Sequence, residues 1–251
     1  MTRPPKAARA PKPPKARKVK PPKPPRGRKA RPEGVWVTPE GYRLAQRLVA
    51  LDPARPGGDI IVALAHEVVD RHVRLGRRGL AVCGAASGAG VTFVAANLAI
   101  ALAQAGVSTL LVDANLEAPR LHELIAPPEP GPGLGDLLTD AELSLHDVVH
   151  SDVLPGLSVL YAGAGVPEGP DGLGSERFRA LAERCLRDYD CTIFDTAPAN
   201  RSTGARAVGL TTGYALLVAR RNLSYAEDMG ALTAQLNQDD VEIIGSVLNN
   251  A

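Results

Sequence analysis

The chain has 251 residues, 45% of them hydrophobic, which is enough for one α/β domain with a substantial core. Its formal net charge of +2 conceals two opposed regions: residues 1–34 carry 13 Lys+Arg against one acid, and residues 35–251 carry 16 Arg against 26 acids. All seven lysines fall in the first region, so any mechanism that needs a lysine from residues 35–251 is excluded.

Residues 1–34 repeat Lys or Arg with Pro, as in Pro21-Pro22-Lys23-Pro24-Pro25. Such a segment buries no core and is expected to be extended, a disordered basic tail. Its ten prolines forbid the amphipathic helix of a transit peptide, and no apolar stretch of a signal peptide follows its charges. Residues 35–58 read as a linker with a short helix near Pro39–Leu51 and a break at Pro56-Gly57-Gly58. The folded domain is expected over residues 59–251. Asp59 is a candidate cap for a helix running to Leu75, with Ile61, Leu64, Val68 and Leu75 at helical spacing.

From there strands and helices alternate. Expected strands are Gly79–Gly84, Ser108–Asp113, Ser158–Ala162, Cys191–Asp195, Tyr214–Ala219 and Val241–Leu248. Expected helices are Thr92–Ala105, Ser175–Asp188 with Ser175 as its cap, and Tyr225–Leu236. Gly79 to Val112 holds no charge, but its five glycines and short apolar runs describe buried strand, turn, helix and strand rather than a membrane span. Ala126–Pro155, rich in Pro, Gly and acids, reads as surface loops around one short helix. Six apolar strands separated by helices give an α/β fold with a doubly wound, mostly parallel sheet. Cys83, Cys185 and Cys191 form no C-x-x-C pair and no even framework, which fits a reducing compartment and buried thiols. His146 and His150, four apart, have the spacing of a metal pair, but no third ligand is evident and a polar surface helix is the simpler reading.

The chemical signal is Gly84-Ala-Ala-Ser-Gly-Ala-Gly-Val-Thr92, between a strand and a helix. Its glycines let backbone N–H groups turn inward around phosphate oxygens, and the helix N-terminus adds its dipole. Ser87, Gly88, Ala89, Gly90, Val91, Thr92 and Phe93 would form the cradle. The pattern also requires a lysine for the β- and γ-phosphates, and that position is Val91. Asp113 and Asp195 each stand at the carboxyl end of an apolar strand, where open α/β sheets bind ligands. With Thr92 they are the candidate ligands of one Mg²⁺, and the two acids are the candidate catalytic residues.

The order and content of these segments resemble the bacterial tyrosine-kinase family, the cytosolic P-loop ATPase module of capsule and exopolysaccharide export systems. The wider superfamily includes Min/Par-type positioning ATPases. The resemblance runs from about Asp59 to Asn250. It rests on Ala85–Thr92 followed by Ala95-Ala-Asn-Leu-Ala, on Leu110-Leu-Val-Asp-Ala-Asn-Leu, on Gly133-Leu-Gly-Asp-Leu-Leu, on Tyr189-Asp-Cys-Thr-Ile-Phe-Asp-Thr-Ala-Pro, and on Ile244-Gly-Ser-Val-Leu-Asn-Asn. It implies ATP or ADP with Mg²⁺ as cofactor, an adenine-reading Asn at 249 or 250, and a membrane-embedded chain-length or export protein as partner. A homo-oligomer is also implied, although the helix motif used for assembly is partial in Glu67, Arg71 and Arg74.

Four departures bear on activity. Val91 replaces the Walker A lysine, Asn115 an acid of Walker A′, and Glu117 the basic residue after it; the last tyrosine is Tyr225, where the family carries a later cluster. Arg120 is the cation nearest in sequence to Asp113 and reads as solvated. These departures weaken nucleotide binding and turnover, and point to a pseudokinase that acts as a regulatory or structural partner of export. An active autokinase and a Min/Par-type positioning ATPase are the alternatives. The basic tail would hold the protein at the anionic inner face of the membrane. Nucleic acid is a weaker fit, since the tail has no aromatic residue to stack on bases.

Overall fold

The computed structural model describes residues 35–165 and 172–250. The expected tail at 1–34 lies outside the described residues. Two short antiparallel strands open the chain, β1 (Trp36–Val37) and β2 (Arg43–Leu44), followed by helix α1 (Gly58–Arg71). The first α/β unit is β3 (Gly79–Cys83), α2 (Val91–Gln104) and β4 (Thr109–Ala114). A run of short elements follows: α3 (Leu121–Leu124), β5 (Ile125–Ala126), α4 (Leu134–Thr139), α5 (Leu145–Val148), β6 (His150–Leu154) and β7 (Leu157–Leu160). The rest alternates as α6 (Glu176–Asp188), β8 (Cys191–Thr196), α7 (Gly204–Thr212), β9 (Tyr214–Arg220), α8 (Ala226–Gln238) and β10 (Glu242–Asn249).

Seven strands form one sheet in the order β10-β9-β3-β8-β4-β7-β6, parallel throughout except for β6 against β7. Every residue of β3, β4, β7 and β8 is buried. Both faces are covered by helices, so these strands read as continuous apolar runs rather than alternating ones. On one face α2 lies in a core with α1 and the 35–51 segment; on the other, α6, α7 and α8 pack through Phe178, Val208 and Leu236. Helix α2 is apolar around most of its circumference because it is enclosed: Leu98, Ile100 and Leu102 are fully buried. Ser175 caps α6 as expected, its hydroxyl accepting the Phe178 N–H at 3.1 Å. Among the described residues no helix is long and apolar enough to cross a membrane.

The stretch read as a linker carries no α-helix near Pro39–Leu51. It forms β1, β2 and a single 3-10 turn at Val49–Leu51, and it belongs to the core. Tyr42, Leu44, Leu48 and Ala50 are buried, and the Ala50 N–H donates to Asn97 Oδ1 on α2 at 2.9 Å. The alternation in Tyr42-Arg-Leu was a strand signal too short to stand out from helical spacing. Helix α1 starts at Gly58 with Gly57 in the left-handed region at φ 84°, so Asp59 lies in its first turn and is not the cap. His146 and His150 do not share a helix: His146 is on α5, whereas His150 begins β6 and bonds through Nδ1 to the Tyr42 hydroxyl at 2.9 Å. No group of three or more His, Cys, Asp or Glu suited to a metal occurs among the described residues. All three cysteines are buried, and burial pushes each thiol up to about 12, so none is a ready nucleophile.

Candidate functional site

The carboxyl ends of β3, β8 and β4 meet beside the N-terminus of α2. Gly88 and Gly90 turn the connecting loop through the left-handed region at φ 83° and 91°, which a Cβ would disfavour. Gly90 then stands at the N-cap of α2, which has no side-chain cap, so its first N–H groups face the loop. The segment after β8 is stitched to the loop by Ala199 N–H to the Gly84 carbonyl and Asn200 N–H to the Ala85 carbonyl, both 3.0 Å.

Val91 is buried in the core at the start of α2. A Cβ on Gly84 would lie 2.7 Å from Val91 Cγ2, so the first residue of the loop is glycine where the valine closes against it. The position that would carry a phosphate-binding lysine therefore contributes packing and no charge.

Asp113 and Asp195 are register partners on adjacent strands β4 and β8. Asp113 accepts N–H groups of Asn115 (3.1 Å) and Leu121 (3.2 Å), yet burial raises it to about 6. Asp195 is fully buried, and neither of its oxygens has a hydrogen-bond partner. Burial, and then the Asp113 charge, hold it well above the carboxylate range. The Thr92 hydroxyl favours its charged form without completing a hydrogen bond. Two adjacent carboxylates, one with both oxygens unsatisfied, beside a threonine hydroxyl suit a hard divalent cation such as Mg²⁺. Thr92, Asp113 and Asp195 are the residues that would hold it. A cavity of about 230 Å³ opens beside Asp113, with Pro119, His122, Pro127 and Tyr161 in its wall.

Asn115 and Arg120 do not extend this charge cluster. The Asn115 amide closes its own turn, donating to the Ala118 carbonyl at 2.9 Å and accepting the Ala118 N–H at 3.2 Å. An acid could make only the second of these bonds. Arg120 is 69% exposed beside Glu123.

Asn249 and Arg220, register partners at the ends of β10 and β9, reach the loop from the other side. Asn249 Nδ2 donates to the Ala89 carbonyl at 3.1 Å, and Arg220 Nη1 to the Gly88 carbonyl at 3.2 Å. The Asn249 amide thus holds the loop itself. Arg220 escaped the sequence reading, although its signal has the same form as that of the two acids: a charged residue closing an apolar strand, Leu216-Leu-Val-Ala-Arg220.

Residues 80–251 match the family described as the CobQ/CobB/MinD/ParA nucleotide binding domain. The chain is 32% identical over 170 residues to the tyrosine-protein kinase etk of Escherichia coli, covering 68% of this chain and 23% of that protein. It is 26% identical over 172 residues to the putative tyrosine-protein kinase CapB of Staphylococcus aureus, covering 68% and 75%. The solved kinase domain of the E. coli tyrosine kinase ETK superposes with a TM-score of 0.74 at 30% identity, covering 81% of this chain and 79% of that one. MinD from Pyrococcus horikoshii, solved with Mg-ADP, superposes with a TM-score of 0.59 at 26% identity, covering 68% and 70%. The chain spans about a quarter of the length of the first curated relatives it matches. A match over more than half of the sequence, with the loop, the strand-end acids and the sheet order in place, shows that the chain belongs to the CobQ/CobB/MinD/ParA nucleotide-binding family and that its relatives are bacterial tyrosine kinases.

Proposed function

We propose that the chain is a regulatory or structural partner in exopolysaccharide synthesis or export, a pseudokinase that works by binding and turns ATP over slowly or not at all. The observation that carries this reading is Val91, buried in the core at the position where the loop needs a cation. A triphosphate brings about four negative charges, of which Mg²⁺ offsets two, and in phosphoryl transfer a single protein cation is worth about 10³ or more in rate. Residues 35–251 offer no lysine to replace it.

What remains suits binding. The loop N–H groups and the α2 N-terminus would take phosphate oxygens. Thr92, Asp113 and Asp195 would hold an Mg²⁺ that would offset phosphate charge. The proposed setting is the cytoplasmic face of the membrane, with the basic tail against anionic lipid and a membrane-embedded chain-length or export protein as partner. The relatives named as tyrosine kinases support the setting, and the charge of residues 1–34 supports the attachment.

Calorimetric titration of the full chain with ADP and ATP, with and without Mg²⁺, tests the reading. Binding that needs Mg²⁺, together with background hydrolysis, is expected. ATP turnover comparable to that of an intact family member, and abolished by Asp113→Ala, would refute it.

A further inference from the structure

The loop lacks a lysine, but it is not without a cation. Seven of the arginines pair with carboxylates among the described residues. Arg220 is not one of them. Its guanidinium bonds to the phosphate loop itself, at the Gly88 carbonyl, and its remaining N–H groups have no carboxylate partner among the described residues. Its backbone N–H is fixed by Ser224 Oγ at 2.9 Å, and its register partner Asn249 holds the next carbonyl of the loop, that of Ala89.

These two contacts have a consequence for the N–H groups. A trans peptide is planar, with its carbonyl and its N–H pointing in opposite directions. The Gly88 carbonyl shares a peptide with the Ala89 N–H, and the Ala89 carbonyl shares one with the Gly90 N–H. Anchoring both carbonyls toward β9 and β10 turns both N–H groups away from those strands, the direction from which a loop of this kind would take an anion. Only glycine fits at position 90 beside this contact, because a Cβ there would come within 2.1 Å of Asn249 Nδ2. Asn249 is neutral; Arg220 adds a full positive charge to the outer side of the preceding peptide, Gly88–Ala89.

We infer that Arg220 is the positioning residue of this site and the source of the positive charge that Val91 does not supply. It acts through the Gly88–Ala89 peptide: it fixes the N–H direction and raises the potential at the diphosphate of a bound nucleoside di- or triphosphate. The inference rests on the nucleotide-binding reading above. It goes beyond that reading by naming the group that keeps a lysine-free loop attractive to phosphate.

The test is titration of the full chain with Mg-ADP and, separately, with adenosine, for Arg220→Gln and Arg220→Lys. The glutamine keeps a donor for the Gly88 carbonyl and removes the charge; the lysine keeps both. Arg220→Gln should bind Mg-ADP about 10-fold more weakly, the scale of one charge-assisted contact, while adenosine binding and thermal unfolding stay unchanged. Arg220→Lys should stay within about threefold of the parent, and adding Val91→Lys to Arg220→Gln should restore the lost affinity. Equal Mg-ADP affinity for Arg220→Gln and the parent would overturn the inference and leave nucleotide binding standing. So would equal losses for the glutamine and lysine variants, which would reduce Arg220 to shaping the loop. Absence of any Mg-ADP binding by the parent chain would overturn the nucleotide reading and this inference together.

Discussion

Restoring the lysine is the most direct perturbation of this site, and its effects on stability and affinity can be separated. Val91 is 8% exposed and closes against Gly84, so Val91→Lys gives up part of a buried side chain. Full burial of a valine is worth about 1.5–3 kcal/mol, and a lysine stem lying in the same groove recovers part of it, leaving a cost of about 1–2 kcal/mol. The new ammonium would bring positive charge to a site where burial holds both Asp113 and Asp195 above the carboxylate range. Asp113 alone, raised from 3.8 to about 6, represents about 3 kcal/mol of strain on its charged form at neutral pH. Partial relief of that strain offsets the lost packing, so the unfolding free energy should change by less than about 2 kcal/mol. Affinity should respond far more. One charge-assisted contact to phosphate is worth about 1.5–3 kcal/mol, so Mg-ADP should bind about 10- to 100-fold more tightly. Calorimetry gives the affinity, and urea unfolding of the same variant gives the stability. A folded Val91→Lys chain with unchanged Mg-ADP affinity would mean that the loop is not shaped as a phosphate cradle, and the argument built on the valine would fail.

Other changes probe the carboxylates, the first strands and the tail. In metal-free buffer at pH 7.5, Asp195→Asn should stabilise the fold by about 1–3 kcal/mol, because it removes a fully buried carboxyl whose charged form burial disfavours and whose oxygens have no hydrogen-bond partner. Asp113, to about 6, and Asp195 are both raised in the fold, so the unfolded chain loses these protons first and stability falls as pH rises above about 4; the gain from Asp195→Asn should shrink toward pH 4, and a gain equal at both pH values would contradict this account. Leu48→Ala should cost about 2–5 kcal/mol in chemical unfolding, since Leu48 is fully buried in the core; a cost under about 0.5 kcal/mol would make residues 35–58 the linker their composition suggests. Removing residues 1–34 should leave thermal unfolding unchanged but weaken co-sedimentation with anionic vesicles, most visibly below about 0.15 M salt; equal binding with and without the tail would leave it a solubilising segment.

Much of the fold was legible because its strands are short apolar runs between helices. Leu80-Ala-Val, Leu110-Leu-Val and Ile193-Phe read as parallel strands buried on both faces, and they are. What escaped has physical reasons. Helix α7 runs Gly-Ala-Arg-Ala-Val-Gly-Leu-Thr-Thr, in which two glycines, a valine and two threonines are weak helix formers. Tertiary packing sustains it: Ala205 and Val208 are fully buried, and Gly209 lets Leu236 Cδ2 approach to 3.2 Å of where a Cβ would stand. Strand β6 pairs antiparallel to β7 inside a stretch of Pro, Gly and acids, and only two of its five residues are apolar. β1 and β2 are two residues each, below the length at which alternation can be told from chance.

The site was legible mostly on one side; on the other, Asn249 was named only through the family resemblance and Arg220 escaped. Spacing from a glycine-rich turn locates Thr92, and strand ends locate Asp113 and Asp195, because each follows its element directly in the chain. The other side is assembled across the sheet. Arg220 stands 132 residues from Gly88, and Asn249 stands 160 residues from Ala89. Only the strand order, with β9 next to β3 and β10 next to β9, brings them to the loop. Three residues at this site then have separate meanings. Val91 leaves the loop without a cation at its expected position and packs in the core instead. Asn115 removes an acid, but its amide is occupied in closing the turn to Ala118, so its first consequence is local geometry. Arg220 adds a cation outside the loop, where it can bias the backbone but is not aimed at a transferring phosphoryl group. A site that keeps two strand-end carboxylates and a glycine-rich loop, while its cation stands behind the backbone, retains more of what binding requires than of what phosphoryl transfer requires.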